Sequence, residues 1–429
     1  MVNRTNERLE AVTATTVIVG IDVAKEIHWA RITNYRGVDL CKPVKINNNI
    51  KGFESLVEKL KKIEIKNKSD KIMIGMEPSG HYWRALGWYL KLHESQPILV
   101  GVNPYHTKQA KELDDNSQTK SDKKDALIIA HLVRDGRYFD TYLPENEYAE
   151  MRVLNSERQR IMKQISRANN VIVAVMDEYF PELSIIWEKI TCPTSREIIK
   201  EVTFPTDILE IEKEELVRII RKASNGKEGH LLADELYEKA SRSVGVLEGK
   251  KSVKAKLLRL IEELEFYEKR KDEVESELEE MMTSLEFGEI LQSMKGIGPI
   301  ISAAFVGEVG DLTRFNNWKQ ERKLAGLNLV EQSSGKHVGK SKVSKRGRPY
   351  LRHMLFIAGE ACCKHNGEMR QLYHYFMKRR ENPLTGYQAF VAVGLKIMRI
   401  MFYMVKNKKK YDPKKALGTV REAQILSLS

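Results

Sequence analysis

Two apolar runs near the start of the chain each end in an acidic residue, and this pattern most constrains the fold. Asp22 ends the run at residues 17–21, and Glu77 ends the run at residues 72–76. Uninterrupted apolar runs of this length are typical of central strands that are buried on both faces of a sheet. Pro78 then stops the second strand. The pattern therefore predicts an α/β unit that carries acids at two strand ends.

Asp122 and Asp125 add two more acids at the start of a predicted helix, 122–134. They share a stripe with Ala126 and Ile129, so they point towards whatever the helix packs against. Four acids brought together in this way repel one another unless cations neutralise them. Oxygen ligands without Cys or His favour Mg²⁺ or Mn²⁺. The simpler alternative is that each acid is only a turn residue or a helix cap.

The composition indicates a basic protein of two or three domains. The chain has 429 residues and a formal net charge of +13, so a polyanionic partner is expected. The four cysteines have no metal-ligand spacing and are expected to be reduced thiols in the cytoplasm. The amino terminus is polar and charged, so no signal peptide is expected. The chain has no long uninterrupted apolar stretch, so no membrane span is expected.

The order of the predicted elements defines the organisation of the chain. Strands are predicted at residues 17–23, 27–33, 40–46, 72–76 and 98–102, with helices at 50–63, 82–92 and 122–134. A three-strand meander followed by alternating helices and strands is the ribonuclease H-like order, in which the first and fourth strands are neighbours. The predicted domains are an α/β metal domain at 13–145, a helical coiled-coil region at 146–285, a mainly helical domain at 286–405 and a basic tail at 406–429. The stretch 181–249 is predicted to be an irregular insertion between two long helices.

A stripe of apolar residues in the second region predicts a coiled coil. Its members keep a three-four spacing that only Lys271 interrupts: Leu257, Ile261, Leu264, Tyr267, Val274, Leu278, Met281 and Leu285. Such a stripe could join copies of the chain into a homo-oligomer, a dimer or a tetramer. The alternative is an ordinary amphipathic helix that packs inside one subunit.

Two segments of the third domain are candidate nucleic-acid contacts. Lys295, Gly296 and Gly298 resemble a helix-hairpin-helix element whose backbone amides approach a phosphate, although a plain turn between helices has the same pattern. A basic run without acids follows, and its predicted contact residues are Lys336, Lys340, Lys342, Lys345, Arg346, Arg348 and Arg352. A run of this kind is often only a solvated face.

Several motifs together resemble the DEDD transposases of bacterial insertion sequences. They lie at residues 19–25, 76–80, 103–104, 120–126, 295–299, 324–327, 334–335 and 345–352. The resemblance implies a RuvC-like domain, a coiled coil and a transposase domain that carries a serine. It implies a magnesium-dependent recombinase of the element's own DNA, active at the bacterial nucleoid, and a guide RNA encoded by the element.

The same resemblance makes Ser334 the candidate nucleophile, because a phosphoserine ester would conserve the energy of the broken phosphodiester without ATP. A serine hydroxyl needs activation by a base or a metal. Ser333 is the rival, and a serine beside glycine in a loop is otherwise a turn residue. The alternatives are a metal-dependent nuclease that uses water, a non-catalytic nucleoprotein scaffold and an actin-like sugar kinase. The kinase would need further glycine-rich phosphate loops, and we find none at suitable places.

Overall fold

The computed structural model describes residues 2–93, 97–114, 121–330, 333–334, 337–338 and 341–427. The chain divides into two compact units, residues 1–143 and 144–429. The first is a mixed α/β unit, and the second is mostly helical.

The first unit contains one sheet flanked by helices. Its strands are β1 (Thr16–Asp22), β2 (Ile27–Asn34), β3 (Val44–Asn47), β4 (Lys71–Met76), β5 (Ile98–Val102) and β6 (Tyr138–Asp140). Its helices are α1 (Val2–Glu10), α2 (Ile50–Asn67), α3 (Trp83–Leu92), α4 (Pro104–Asp114) and α5 (Asp122–Arg134). The strand order is β3-β2-β1-β4-β5-β6, with β4 parallel to both β1 and β5. The first and fourth strands are therefore neighbours, as predicted.

The second unit consists of helices and two short strand pairs. Its helices are α6 (Asn146–Tyr179), α7 (Leu183–Ile186), α8 (Pro193–Glu201), α9 (Pro205–Glu210), α10 (Lys213–Ala223), α11 (His230–Ser241), α12 (Lys250–Ser284), α13 (Gly288–Gln292), α14 (Pro299–Val309), α15 (Trp318–Leu324), α16 (Pro349–His365), α17 (Gly367–Lys378), α18 (Gly386–Lys406), α19 (Pro413–Ala416) and α20 (Thr419–Leu426), with a 3-10 turn at Leu312–Arg314. Strand β7 (Leu329–Val330) pairs with β10 (Lys342–Val343), and β8 (Ser333–Ser334) pairs with β9 (His337–Val338). The predicted subdivision of this unit at residues 285 and 405 stays a prediction.

The stretch 181–249 lies between the two long helices α6 and α12, as predicted, but it is largely helical, so the prediction that it is irregular was wrong. Helices α7 to α11 lie within it, and Pro193 and Pro205 each occupy the first turn of a helix. A proline at this position lacks only an N–H that has no partner inside the helix. The two prolines therefore begin helices rather than interrupt them.

The predicted coiled-coil stripe is internal to one chain. Helix α12 packs mainly against α6, and the side chains of Leu257, Ile261, Leu264 and Leu278 are fully buried there. The stripe is therefore no free surface for oligomerisation, and the oligomer prediction loses this support. Met282, rather than the predicted Met281, continues the buried face, because an α-helix advances 3.6 residues per turn and drifts from a strict heptad.

Helix α18 (Gly386–Lys406) is long and apolar enough to cross a membrane, the one such helix among the described residues. Half of its apolar window is buried inside the protein, and it packs against α15, α16 and α17. Those contacts are typical of a core helix.

Candidate active site

Asp22 and Glu77 are neighbours at one edge of the sheet. Ile21 pairs with Met76 across the parallel strands β1 and β4, and the two acids follow these residues at the carboxyl ends of their strands. Both side chains are partly exposed. Because the register of the two strands matches, the predicted convergence of these two acids is present in the structure.

Helix α5 brings the other two acids towards the same edge because two glycines let it approach the sheet. A Cβ on Gly20 would lie 2.1 Å from the carbonyl oxygen of Ala126 and 2.3 Å from the nitrogen of Ala130. Gly20 pairs with Gly75, where a Cβ would lie 2.4 Å from a methyl carbon of Val133. Without side chains at these positions, the helix packs directly over β1 and β4.

The other three carboxyls lie close enough to Asp22 to raise its pKa. Burial first, and then the charges of Asp125 and Asp122, raise the pKa of Asp22 to about 6, and Glu77 adds to this rise. The charge of Lys111 opposes it. A buried carboxyl with acidic neighbours is more easily protonated unless a cation compensates.

Lys111 is a member of the site that the sequence analysis missed. Its Nζ donates a hydrogen bond to Oδ2 of Asp125 at 2.5 Å, and Asp125 is otherwise buried. Lys111 belongs to α4, which was not predicted because Pro104 was not read as a helix start. Pro104 at the start of α4 was the available signal.

The site has the ligand chemistry of a divalent-cation site, but its carboxylates are not gathered tightly. Lys111 pairs with Asp125 and acts on Asp22, whereas Asp122 is exposed, and all the donor atoms of the four acids are hard oxygens. In the part of the chain that the structure describes, no three His, Cys, Asp or Glu side chains are close enough to hold one metal ion. The residues therefore fit Mg²⁺ in type and charge, whereas their positions are those of a loosely gathered cluster.

Ser334 lies in a short strand pair of the second unit. Its backbone pairs with that of His337, and Ser333 pairs with Val338. The side chains of both serines are outside the described part of the structure. Ser334 as nucleophile therefore stays a prediction.

The predicted basic contacts fall into two groups. The side chains of Lys295, Lys342, Lys345 and Arg346 are exposed, and Lys336 and Lys340 lie outside the described residues. Arg348 and Arg352 instead donate hydrogen bonds within the second unit. Arg348 donates to the carbonyl oxygen of Glu308 and lies 3.5 Å from its carboxylate, and Arg352 donates to the carbonyl oxygen of Ala325 at 2.9 Å. Sequence alone does not separate a cation that faces solvent from one that closes the fold.

The two glycines of the predicted hairpin have different surroundings. Gly296 has a φ of +95°, and a Cβ there would lie 2.8 Å from the Cα of Cys362 on α16. Gly298 precedes α14, and a Cβ there would meet nothing within 4 Å. A positive φ and close packing of the turn between α13 and α14 on α16 explain Gly296, while the space beside Gly298 is empty.

Comparisons with known proteins identify the family of the chain. A DEDD family model of IS110 elements, described as a transposase, matches residues 19–181, and a second, described as the transposase IS116/IS110/IS902 family, matches residues 288–374. The 44.8 kDa protein of insertion element IS116 from Streptomyces clavuligerus is 23% identical, over 92% of this chain and 96% of its own length. The 42 kDa protein of insertion element IS900 from Mycobacterium paratuberculosis is 20% identical, over 68% of this chain and 73% of its own length. The first match contains all four acids and the second contains Ser334, and the chain belongs to the DEDD transposases of the IS110 family of insertion elements.

Proposed function

We propose that this transposase is a magnesium-dependent DNA recombinase whose reaction passes through a serine ester. The observation that carries the proposal is the convergence of Asp22, Glu77, Asp122 and Asp125 at one sheet edge. Strand order 3-2-1-4-5 with acids at the ends of the first and fourth strands supports a ribonuclease H-like, RuvC-like domain.

The four acids would hold one or two Mg²⁺ ions. Bound there, magnesium would polarise the scissile phosphate and stabilise the leaving oxygen. The chain's own part is to keep the carboxylates at the sheet edge and to compensate their charge through Lys111. Since Asp22 has a pKa of about 6, it is mainly ionised at neutral pH and able to bind a cation.

We assign the nucleophile to Ser334. Its hydroxyl oxygen would attack phosphorus and lose its proton to a base. The new serine–phosphorus bond replaces the bond to the 3′ oxygen, which takes up a proton from an acid or water and leaves as a 3′-hydroxyl. Attack of another strand's 3′-hydroxyl on the ester restores a phosphodiester and frees the serine, so that bonds balance without ATP.

DNA is the implied partner of a transposase, and we extend this to a guide RNA and to an assembly of several copies. The net charge of +13 supports a polyanionic partner. Recombination joins strands of two duplexes, which favours more than one copy of the protein. The buried face of α12 is not the surface that joins them.

The test is recombination in vitro on DNA that carries the element's ends, its adjacent non-coding RNA and a target. Asp22→Asn should abolish strand exchange and leave DNA binding within about twofold, because phosphate contacts come from other residues. Asp135→Asn is the matched control. This acid follows the last residue of α5, at the end opposite to Asp122 and Asp125, and pairs with Arg134 at 2.7 Å. Strand exchange by Asp22→Asn would overturn the proposal. Hydrolysed ends without any joined product would indicate a nuclease instead.

A further inference from the structure

Helices α15 and α18 form a cationic surface that the sequence analysis did not single out. Its members, here named the Trp318 surface, are Trp318, Lys319, Arg322, Arg399, Tyr403 and Lys406. Residues 382–411 contain six Lys or Arg and no Asp or Glu. Arg399 and Lys406 of that stretch belong to the Trp318 surface, whereas Lys408 and Lys410 pair with Glu286 and Glu289 elsewhere.

Arg399 is held between two aromatic rings and has no acidic partner. Its Cζ lies 5.3 Å from the ring centre of Trp318 on α15 and 5.9 Å from that of Tyr403 on α18. Arg399 is exposed, and among the described residues it makes no ion pair or hydrogen bond. An arginine stacked on aromatic rings loses less side-chain freedom when it binds a ligand. Its planar fork fits the two oxygens of a phosphate.

The acid on α15 does not compensate this charge. Glu321 is the only acid of α15, and its side chain is fully buried, with no hydrogen-bond partner for either carboxylate oxygen. Burial raises the pKa of Glu321 to about 8, so it is mainly uncharged at neutral pH. The second cation over Trp318 is Arg322, at 5.2 Å from the ring centre.

The pKa of a neighbouring lysine is lowered by burial and by nearby positive charges. Lys396, one turn before Arg399 on α18, has its pKa lowered, first by burial and then by the charges of Arg399 and Arg421. Its Nζ donates to the carbonyl oxygen of Leu417 at 3.3 Å, not to an acid. Several neighbouring cations that lack acidic partners favour the binding of a polyanion over that of a protein.

We propose that the Trp318 surface binds the sugar-phosphate backbone of a nucleic acid, with Arg399 as its central phosphate contact. This inference rests on the proposed function, because it adds a surface to a protein that already handles DNA. It also relocates part of the binding that the sequence assigned to Arg348 and Arg352, whose guanidinium groups bind protein carbonyls. The shared chemistry is the phosphate diester, which DNA and RNA both supply.

The test measures affinity against salt concentration by fluorescence anisotropy, using the full chain. Three labelled probes separate the sources: a 30-base-pair DNA duplex, one of its single strands and an RNA hairpin. Losing one phosphate contact on duplex DNA lowers the slope of log K against log salt by about 0.9. Raising the salt concentration from about 0.05 to 0.2 M weakens binding of both proteins. The fold-loss of affinity for Arg399→Gln should be smaller than that for wild type by a factor of about 3.5. Arg399→Gln with Lys319→Gln should double the change in slope.

The matched control is Arg270→Gln. Arg270 is also exposed and lies over an aromatic ring, at 5.2 Å from the centre of Phe266, but it belongs to α12. Its slope should equal that of wild type. Arg399→Lys should keep the slope, because it keeps the charge. Hydrogen exchange gives an independent readout, since bound nucleic acid should protect the peptide that contains α15.

The outcomes are distinct. Wild-type slopes for both Arg399→Gln and the double variant would overturn the inference, as would an equal loss in Arg270→Gln, which would reflect net charge alone. A change seen with only one probe identifies that nucleic acid as the partner. If wild type binds none of the probes, the proposed function fails together with this inference.

Discussion

Replacing Glu321 by glutamine should stabilise the protein, and by an amount that grows with pH. The carboxyl of Glu321 is fully buried and has no hydrogen-bond partner. Burial raises its pKa from 4.5 to about 8, and the charge of Arg314 only partly opposes this rise. Ionising such a group inside the fold costs free energy that the unfolded chain does not lose.

The pH window follows from the direction of this pKa change. The folded state binds more protons than the unfolded state between pH 4.5 and about 8. The contribution of Glu321 to stability is therefore complete below pH 4.5, is lost progressively as pH rises to about 8, and does not change further above that pH. At about 1.36 kcal/mol per pH unit, the total loss is at most about 5 kcal/mol, and water entering the site would reduce it.

The assay is urea unfolding at pH 5, 6, 7, 8 and 9, followed by far-UV circular dichroism. The free energy of unfolding of Glu321→Gln, relative to wild type, should rise by about 1 kcal/mol per pH unit up to pH 8 and then level off. Glu360→Gln is the matched control, because this glutamate is half-exposed and pairs with Lys364 at 2.8 Å. It should show a difference that does not change with pH. A constant difference for Glu321→Gln as well would refute the reasoning.

Four further outcomes test other parts of the structure. Added Mg²⁺ should raise the melting temperature of wild type but not of Asp22→Asn, and an equal rise in both would place the ion elsewhere. Lys111→Met removes the cation that pairs with Asp125 and should tighten Mn²⁺ binding about tenfold by calorimetry; an unchanged affinity would show that the lysine lies outside the ion's field. Leu264→Ala should lower the free energy of unfolding by about 2–5 kcal/mol without changing the mass by light scattering, whereas dissociation of an oligomer would make α12 an interface. Arg348→Gln should lower the melting temperature, since it removes a bond to a carbonyl of α14; unaltered stability would return this arginine to the nucleic-acid contacts.

Much of the first unit was predictable because local patterns and neighbouring strands decide it. The helix Asp122–Arg134 was predicted with the observed bounds, and the strand order was predicted from the sequence of elements. Gly20 and Gly75, which bring α5 onto the sheet, have a role that appears only when the two strands are paired. The position of Lys111 relative to Asp125 depends in the same way on tertiary structure.

The second unit was less predictable because its surfaces are defined by packing between distant segments. The stripe on α12 has the same spacing whether its partner is α6 or another copy of the chain. The acid-free character of residues 382–411 is visible in the sequence, but the stacking of Arg399 on Trp318 joins residues 81 positions apart. A proline in the sequence does not reveal whether a helix begins or ends there. This explains why the stretch 181–249 was predicted to be irregular.

The most direct test of the central claim is to trap and map the covalent link between protein and DNA. Wild type would be incubated with Mg²⁺, the proposed guide RNA and duplexes carrying the element's ends. The sample would then be denatured, digested with protease and nuclease, and analysed by mass spectrometry. The account predicts a nucleotide joined through its phosphate to the oxygen of Ser334. This adduct should be absent from both Ser334→Ala and Asp22→Asn. An adduct on Ser333, or cut DNA with no adduct in wild type, would contradict it.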